Sequence, residues 1–101
     1  MNHNINPKLK DDLTDQLFEA ILELESIEEC YAFFEDICTV NEIKSLAQRL
    51  EVAKMLEQKS KYTDITEKTG ASAATISRVS RVLNYGTGGY GFILERLREE
   101  K

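Results

Sequence analysis

Between Ser72 and Leu83 the chain carries Ala74, Thr75, Ser77, Arg78 and Arg81 and no acidic side chain. Positions 74, 77, 78 and 81 recur at three- and four-residue steps, so a helix through this stretch would present them on one face. A merely solvated helix face normally mixes Glu with Lys. This one offers small and hydroxyl side chains first and guanidinium groups after. Small side chains let a helix enter the major groove of a duplex, where hydroxyls and methyls meet base edges, while guanidinium groups bond phosphates or guanine.

The flanking residues supply the elements that would hold such a face. Thr63 to Thr69 is a short amphipathic run with Ile65 facing inward. Gly70 ends it, because glycine takes the left-handed conformation of a helix C-cap without a steric clash. Ala71 and Ser72 make the turn, and Ser72 is placed to cap a second helix through an N–H one turn on. Ile76, Val79 and Leu83 then recur on one face. The expectation is a helix-turn-helix over residues 62–84. A helical hairpin without a ligand has the same outline, and the acid-free exposed face favours nucleic acid over that reading. Base-edge contacts are expected from Ser72, Ala73, Ala74, Thr75 and Ser77. Phosphate contacts or positive field are expected from Lys59, Lys61, Lys68, Arg78 and Arg81.

A chain of 101 residues has room for one modest core, so residues 1–101 are read as a single domain. The net charge of −5 argues against nucleic acid as a single number, but its distribution does not. Residues 1–58 hold 13 acidic and 5 basic side chains, whereas residues 59–98 hold 3 acidic and 7 basic. An acidic body behind a basic head orients a protein on a duplex and disfavours other poses. No Ser, Cys, His and carboxylate constellation appears, so no catalytic residue is expected. Cys30 and Cys38 match no zinc or redox spacing and are read as buried thiols, and His3, in a polar tail, is not read as a ligand. Neither a metal nor a cofactor is expected. The polar N-terminus and short apolar clusters predict neither signal peptide nor membrane span, hence a cytoplasmic protein.

Along the chain, Asn6 and Pro7 are read as N-cap and first residue of a helix reaching about Glu25, with Leu9, Leu13, Leu17, Ala20, Ile21 and Leu24 as its apolar stripe. Ser26 with Glu29 forms a capping box for a second helix to about Cys38, and Thr39 with Glu42 another for a third, from Val40 to about Gln58. Residues 1–58 are thus expected to be acidic dimerisation helices, with contacts centred on Leu13 to Leu24 and on Phe33 and Phe34. YGTGGYG, residues 85–91, reads as a glycine-rich mobile loop, and residues 92–101 as a closing helix. No strand pattern appears, and the fold class is all-α. Wide apolar stripes in so small a chain, and two heads to reinforce modest electrostatics, both predict a homodimer.

The run TGASAATISRVSRVLNYGTGGYG at 69–91, with NEIKSLAQRLEVAKML at 41–56, resembles the YerC/YecD family of Trp-repressor-like proteins. The likeness covers about Asn6 to Arg98. It implies an intertwined all-helical dimer with a helix-turn-helix in each subunit, and transcriptional regulation, expected to be repression, through a double-stranded DNA operator. In the tryptophan repressor the amino acid lies between the recognition helix and the central helix, its carboxylate held by an arginine from each. Arg78 matches one of these. Arg49 matches the other only with a one-residue gap, the ungapped position being Gln48. Thr39 matches a threonine that faces the ligand. Val79 and Val82 stand where the repressor has glycine and serine, which implies a site closed to tryptophan, with Thr39, Arg49 and Arg78 left for some other small anionic effector, or Arg49 and Arg78 left simply to pair with Glu42, Glu51 or phosphate. Tyr62, Thr63 and Thr66 replace the repressor's basic and amide base-reading groups, implying a different operator. The other function class is a helical module that binds a partner protein with the same surface and without DNA.

Overall fold

The computed structural model describes residues 5–100 as six helices: α1 (Asp12–Leu22), α2 (Ile27–Ile37), α3 (Val40–Glu57), α4 (Tyr62–Thr69), α5 (Ala73–Tyr85) and α6 (Gly89–Glu99). No strand occurs among the described residues, so the fold class is all-α. The expectations for His3 and for Lys101 lie outside the described residues. The chain forms two compact units, one up to Val40 and the other from Asn41.

In the first unit the expected start of α1 is corrected. Asn6 and Pro7 open only a single turn, in which the Asn6 carboxamide accepts from the Lys8 N–H at 2.9 Å and the Asn6 carbonyl accepts from the Leu9 N–H at 2.9 Å. Asp11 is then extended (φ −159°) and its carboxylate accepts from the Thr14 N–H at 2.7 Å, so the cap belongs to Asp11 and Leu9 falls outside the helix. These hydrogen bonds, that of the Thr14 backbone first, hold the Asp11 carboxyl below the ordinary aspartate range. Helix α1 also ends at Leu22, before the expected Glu25. The second helix begins as expected: Ser26 Oγ accepts from the Glu29 N–H at 3.1 Å, and Glu29 reaches back to accept from the Glu25 N–H at 2.9 Å.

Neither α1 nor α2 contains a buried residue. Leu13, Leu22, Ile27 and Tyr31 are each more than 70% exposed, and Phe33 and Phe34 meet edge to face with ring centroids 5.7 Å apart. The expected burial of the cysteines is corrected for the same reason: Cys30 and Cys38 are free thiols and only half-buried, because this unit closes no core of its own.

The second unit holds the core. Val52 and Ala53 of α3, Ile65 of α4, Ala71 of the turn, Ile76 and Val79 of α5 and Leu94 of α6 are all buried, with Met55, Leu56, Leu83 and Tyr90 packed against them. Lys59, at φ 65°, ends α3 in the left-handed conformation usual for glycine. Its N–H donates to the Leu56 carbonyl at 3.0 Å and the Ser60 N–H donates to that of Met55 at 2.9 Å, a Schellman closure.

The glycine-rich segment is also corrected. Helix α5 runs on to Tyr85, and α6 starts at Gly89, so the loop is residues 86–88 rather than 85–91. Residue 86 has to be glycine, since a Cβ there would stand 2.5 Å from the Val82 carbonyl oxygen. Gly89 and Gly91 are helical despite their low propensity because Tyr90 and Leu94, between and after them, pack on the core. An Arg98–Glu57 ion pair ties α6 to the last turn of α3.

Candidate nucleic-acid interface

Helices α4 and α5 meet around Gly70 and Ser72. Gly70 is left-handed at φ 74°, and its N–H donates to the Thr66 carbonyl at 2.8 Å. The Thr69 hydroxyl donates to the Ile65 carbonyl at 2.7 Å and accepts from the Ala71 N–H at 3.1 Å. The Ser72 hydroxyl accepts from the Thr75 N–H and donates to the Thr75 hydroxyl oxygen, each at 3.1 Å. Every polar group of the turn named here is engaged locally, which is how so short a connection keeps a fixed shape. The buried faces are the expected ones: Ile65 and Ile76 are fully enclosed and Val79 nearly so.

Outward, α5 shows an open groove lined by Ala74, Thr75, Ser77, Arg78 and Arg81. All of the residues expected at a DNA surface (Lys61, Thr63, Thr66, Lys68, Ser72, Ala73, Ala74, Ser77, Arg78 and Arg81) are exposed, except that Thr75 is half-buried. A second, mostly apolar depression lies at the α4–α5 junction, lined by Tyr62, Thr63, Thr66, Glu67, Ala73 and Ile76.

The basic groups are not equivalent. Among the described residues, Lys59, Lys61, Arg78 and Arg81 pair with no carboxylate, whereas Lys68 meets Glu51 of α3 at 3.1 Å. One residue on, the Gln48 amide of α3 donates to the Thr69 carbonyl at 3.0 Å. Sequence reasoning missed both attachments of α3 to the end of α4. Gln48 could have been found, since it lies one turn before the buried Val52 on the same helical face. Glu51 carries no comparable signal.

Of the three residues expected at an effector pocket, Arg78 lines the groove on α5, Arg49 is half-buried on α3, and Thr39 belongs to the first unit. Val79 is 1% exposed, in the core, and Val82 is 43% exposed. No group of three or more residues able to hold a metal ion occurs among the described residues, and no helix among them is long and apolar enough to cross a membrane.

The Trp repressor protein family matches residues 12–98. The uncharacterized protein YerC of Bacillus subtilis is 58% identical over 92 residues, covering 91% of this chain and 88% of its own length. A TrpR-like protein from Eubacterium eligens superposes with a TM-score of 0.89 at 62% identity, over 91% of this chain and 95% of that one. A candidate Trp repressor from Staphylococcus aureus gives a TM-score of 0.88 at 56% identity, over 90% and 91%.

Proposed function

The chain belongs to the Trp repressor protein family, and we propose that it is a sequence-specific DNA-binding regulator acting in the cytoplasm as a homodimer. The observation that carries this reading is the outward face of α5, where Arg78 and Arg81 stand unpaired beside Ala74 and Ser77 with no carboxylate on the face. Unpaired guanidinium groups lose no internal partner on meeting phosphate, and small side chains leave room for the helix in the groove. The direction of regulation that the family suggests is repression.

The joining of two heads falls to the first unit. Helices α1 and α2 are 11 residues each, a length at which an isolated helix is marginal in water, and their apolar residues are bare. A second copy of this chain is the occupant we propose for Leu13, Phe18, Leu22, Ile27 and Tyr31. Regulation by tryptophan is not part of the proposal, because Val79 fills core space where the tryptophan repressor has glycine.

Selection of duplexes from a random library by the purified protein tests the function. A two-fold-symmetric sequence is expected to emerge, unchanged by added tryptophan, and Arg78→Ala with Arg81→Ala is expected to weaken binding to all sequences and to flatten its salt dependence. Absence of enrichment at any salt concentration would overturn the DNA reading in favour of a partner protein.

A further inference from the structure

Among the described residues, Lys68 is the one cation of the proposed DNA surface that pairs with a carboxylate. It sits in the last turn of α4, its side chain 64% exposed, and its ammonium lies 3.1 Å from Glu51, whose side chain is 30% exposed. The neighbouring attachment differs in kind: the Gln48 amide holds the Thr69 carbonyl at 3.0 Å through a neutral, partly buried bond. Helix α3 therefore grips the end of α4 twice, once through a neutral, partly buried bond and once through an exposed ion pair whose carboxylate a phosphate can replace.

We propose that Glu51 is an internal stand-in for phosphate, which holds Lys68 in the free protein, gives it up when DNA docks, and so sets the affinity of the reading head lower than its cations alone would give. The inference rests on the DNA-binding reading above. A carboxylate and a phosphate oxygen present the same acceptor to an ammonium group, and only one of them also repels the DNA backbone. An ion pair this exposed is weak, so phosphate wins the exchange, and the Gln48 bond keeps α4 in place while it happens. Once freed, Glu51 takes up a solvent cation. That uptake cancels part of the counterion release that Lys68 would otherwise produce.

The test is a double-mutant cycle of Glu51→Gln and Lys68→Gln, read as affinity and salt slope on the duplex enriched by selection and on an unrelated duplex of the same length. Glu51→Gln, nearly the same shape, is expected to tighten binding to both duplexes by about two- to fivefold. It is also expected to steepen the slope of log affinity against log salt by somewhat less than one. Combined with Lys68→Gln it is expected to add little. Thermal unfolding of the single variant checks that the fold is kept. Weaker binding by a folded Glu51→Gln protein would overturn the inference, since Glu51 would then be orienting Lys68 toward phosphate. Equal tightening with and without Lys68 would overturn it too, since the gain would be a general field effect. Should the unmutated protein bind neither duplex at low salt, the DNA reading itself fails and this inference with it; binding that ignores Glu51→Gln sinks the inference alone.

Discussion

The two units treat apolar side chains in opposite ways. From Asn41 onward, residues of four helices and one turn converge on a core whose members are at most 3% exposed. In the first unit, two well-capped helices hold no fully buried residue, although their apolar content would suffice for a core face. Caps and amphipathic spacing define a helix; they do not supply the surface against which it is stable. The head closes a core of its own, and the helices of the first unit do not.

The largest expected effect breaks that contrast at its open end. Leu13→Asp combined with Leu22→Asp places charge on the bare stripe and is expected to shift the sedimenting mass from two chains to one, with loss of tight operator binding. An unchanged mass would mean that another surface joins the subunits. Next, Ile76→Ala removes a fully enclosed side chain from the head and is expected to cost about 3 kcal/mol in denaturant unfolding, at any protein concentration. A cost below about 0.5 kcal/mol would show the core to be far looser than its burial implies. The smallest effect distinguishes the caps. Asp11, whose folded-state carboxyl titrates below the ordinary 3.8, stabilises the start of α1 above the unfolded value and loses that contribution as pH falls through the folded one. Ser72 has no charge to lose. Amide exchange in the first turn of α1 is therefore expected to quicken on acidification through that range relative to the first turn of α5. Equal change in both would remove the Asp11 cap from the account.

What the sequence disclosed follows from how local each signal is. Gly70, Ser72, Ile76 and Val79 lie within ten residues of one another, and their conformations and burial were legible, as was the Ser26 cap with Glu29. The start of α1 was not, because Asn6–Pro7 and Asp11 are rival caps five residues apart and the pattern alone does not rank them. Gly89 and Gly91 were misread as loop because composition spoke for a loop while Tyr90 and Leu94, packing from a distance, decided for a helix. The Glu51–Lys68 and Gln48–Thr69 contacts join residues of different helices, which no local spacing encodes. The residues expected to face DNA are named from their types, and the exposure of all but Thr75 follows from the same periodicity that buries their neighbours.

The absence of buried residues from α1 and α2 also bears on how the chain is made. Synthesis delivers the bare helices first, and Leu94, the last member of the core, only about three to ten seconds later. Leu13, Phe18, Leu22 and Tyr31 meet that delay with no core of their own unit to enter. The excess of acidic side chains along the same stretch gives nascent segments a like charge, which disfavours contact between neighbouring chains on one message.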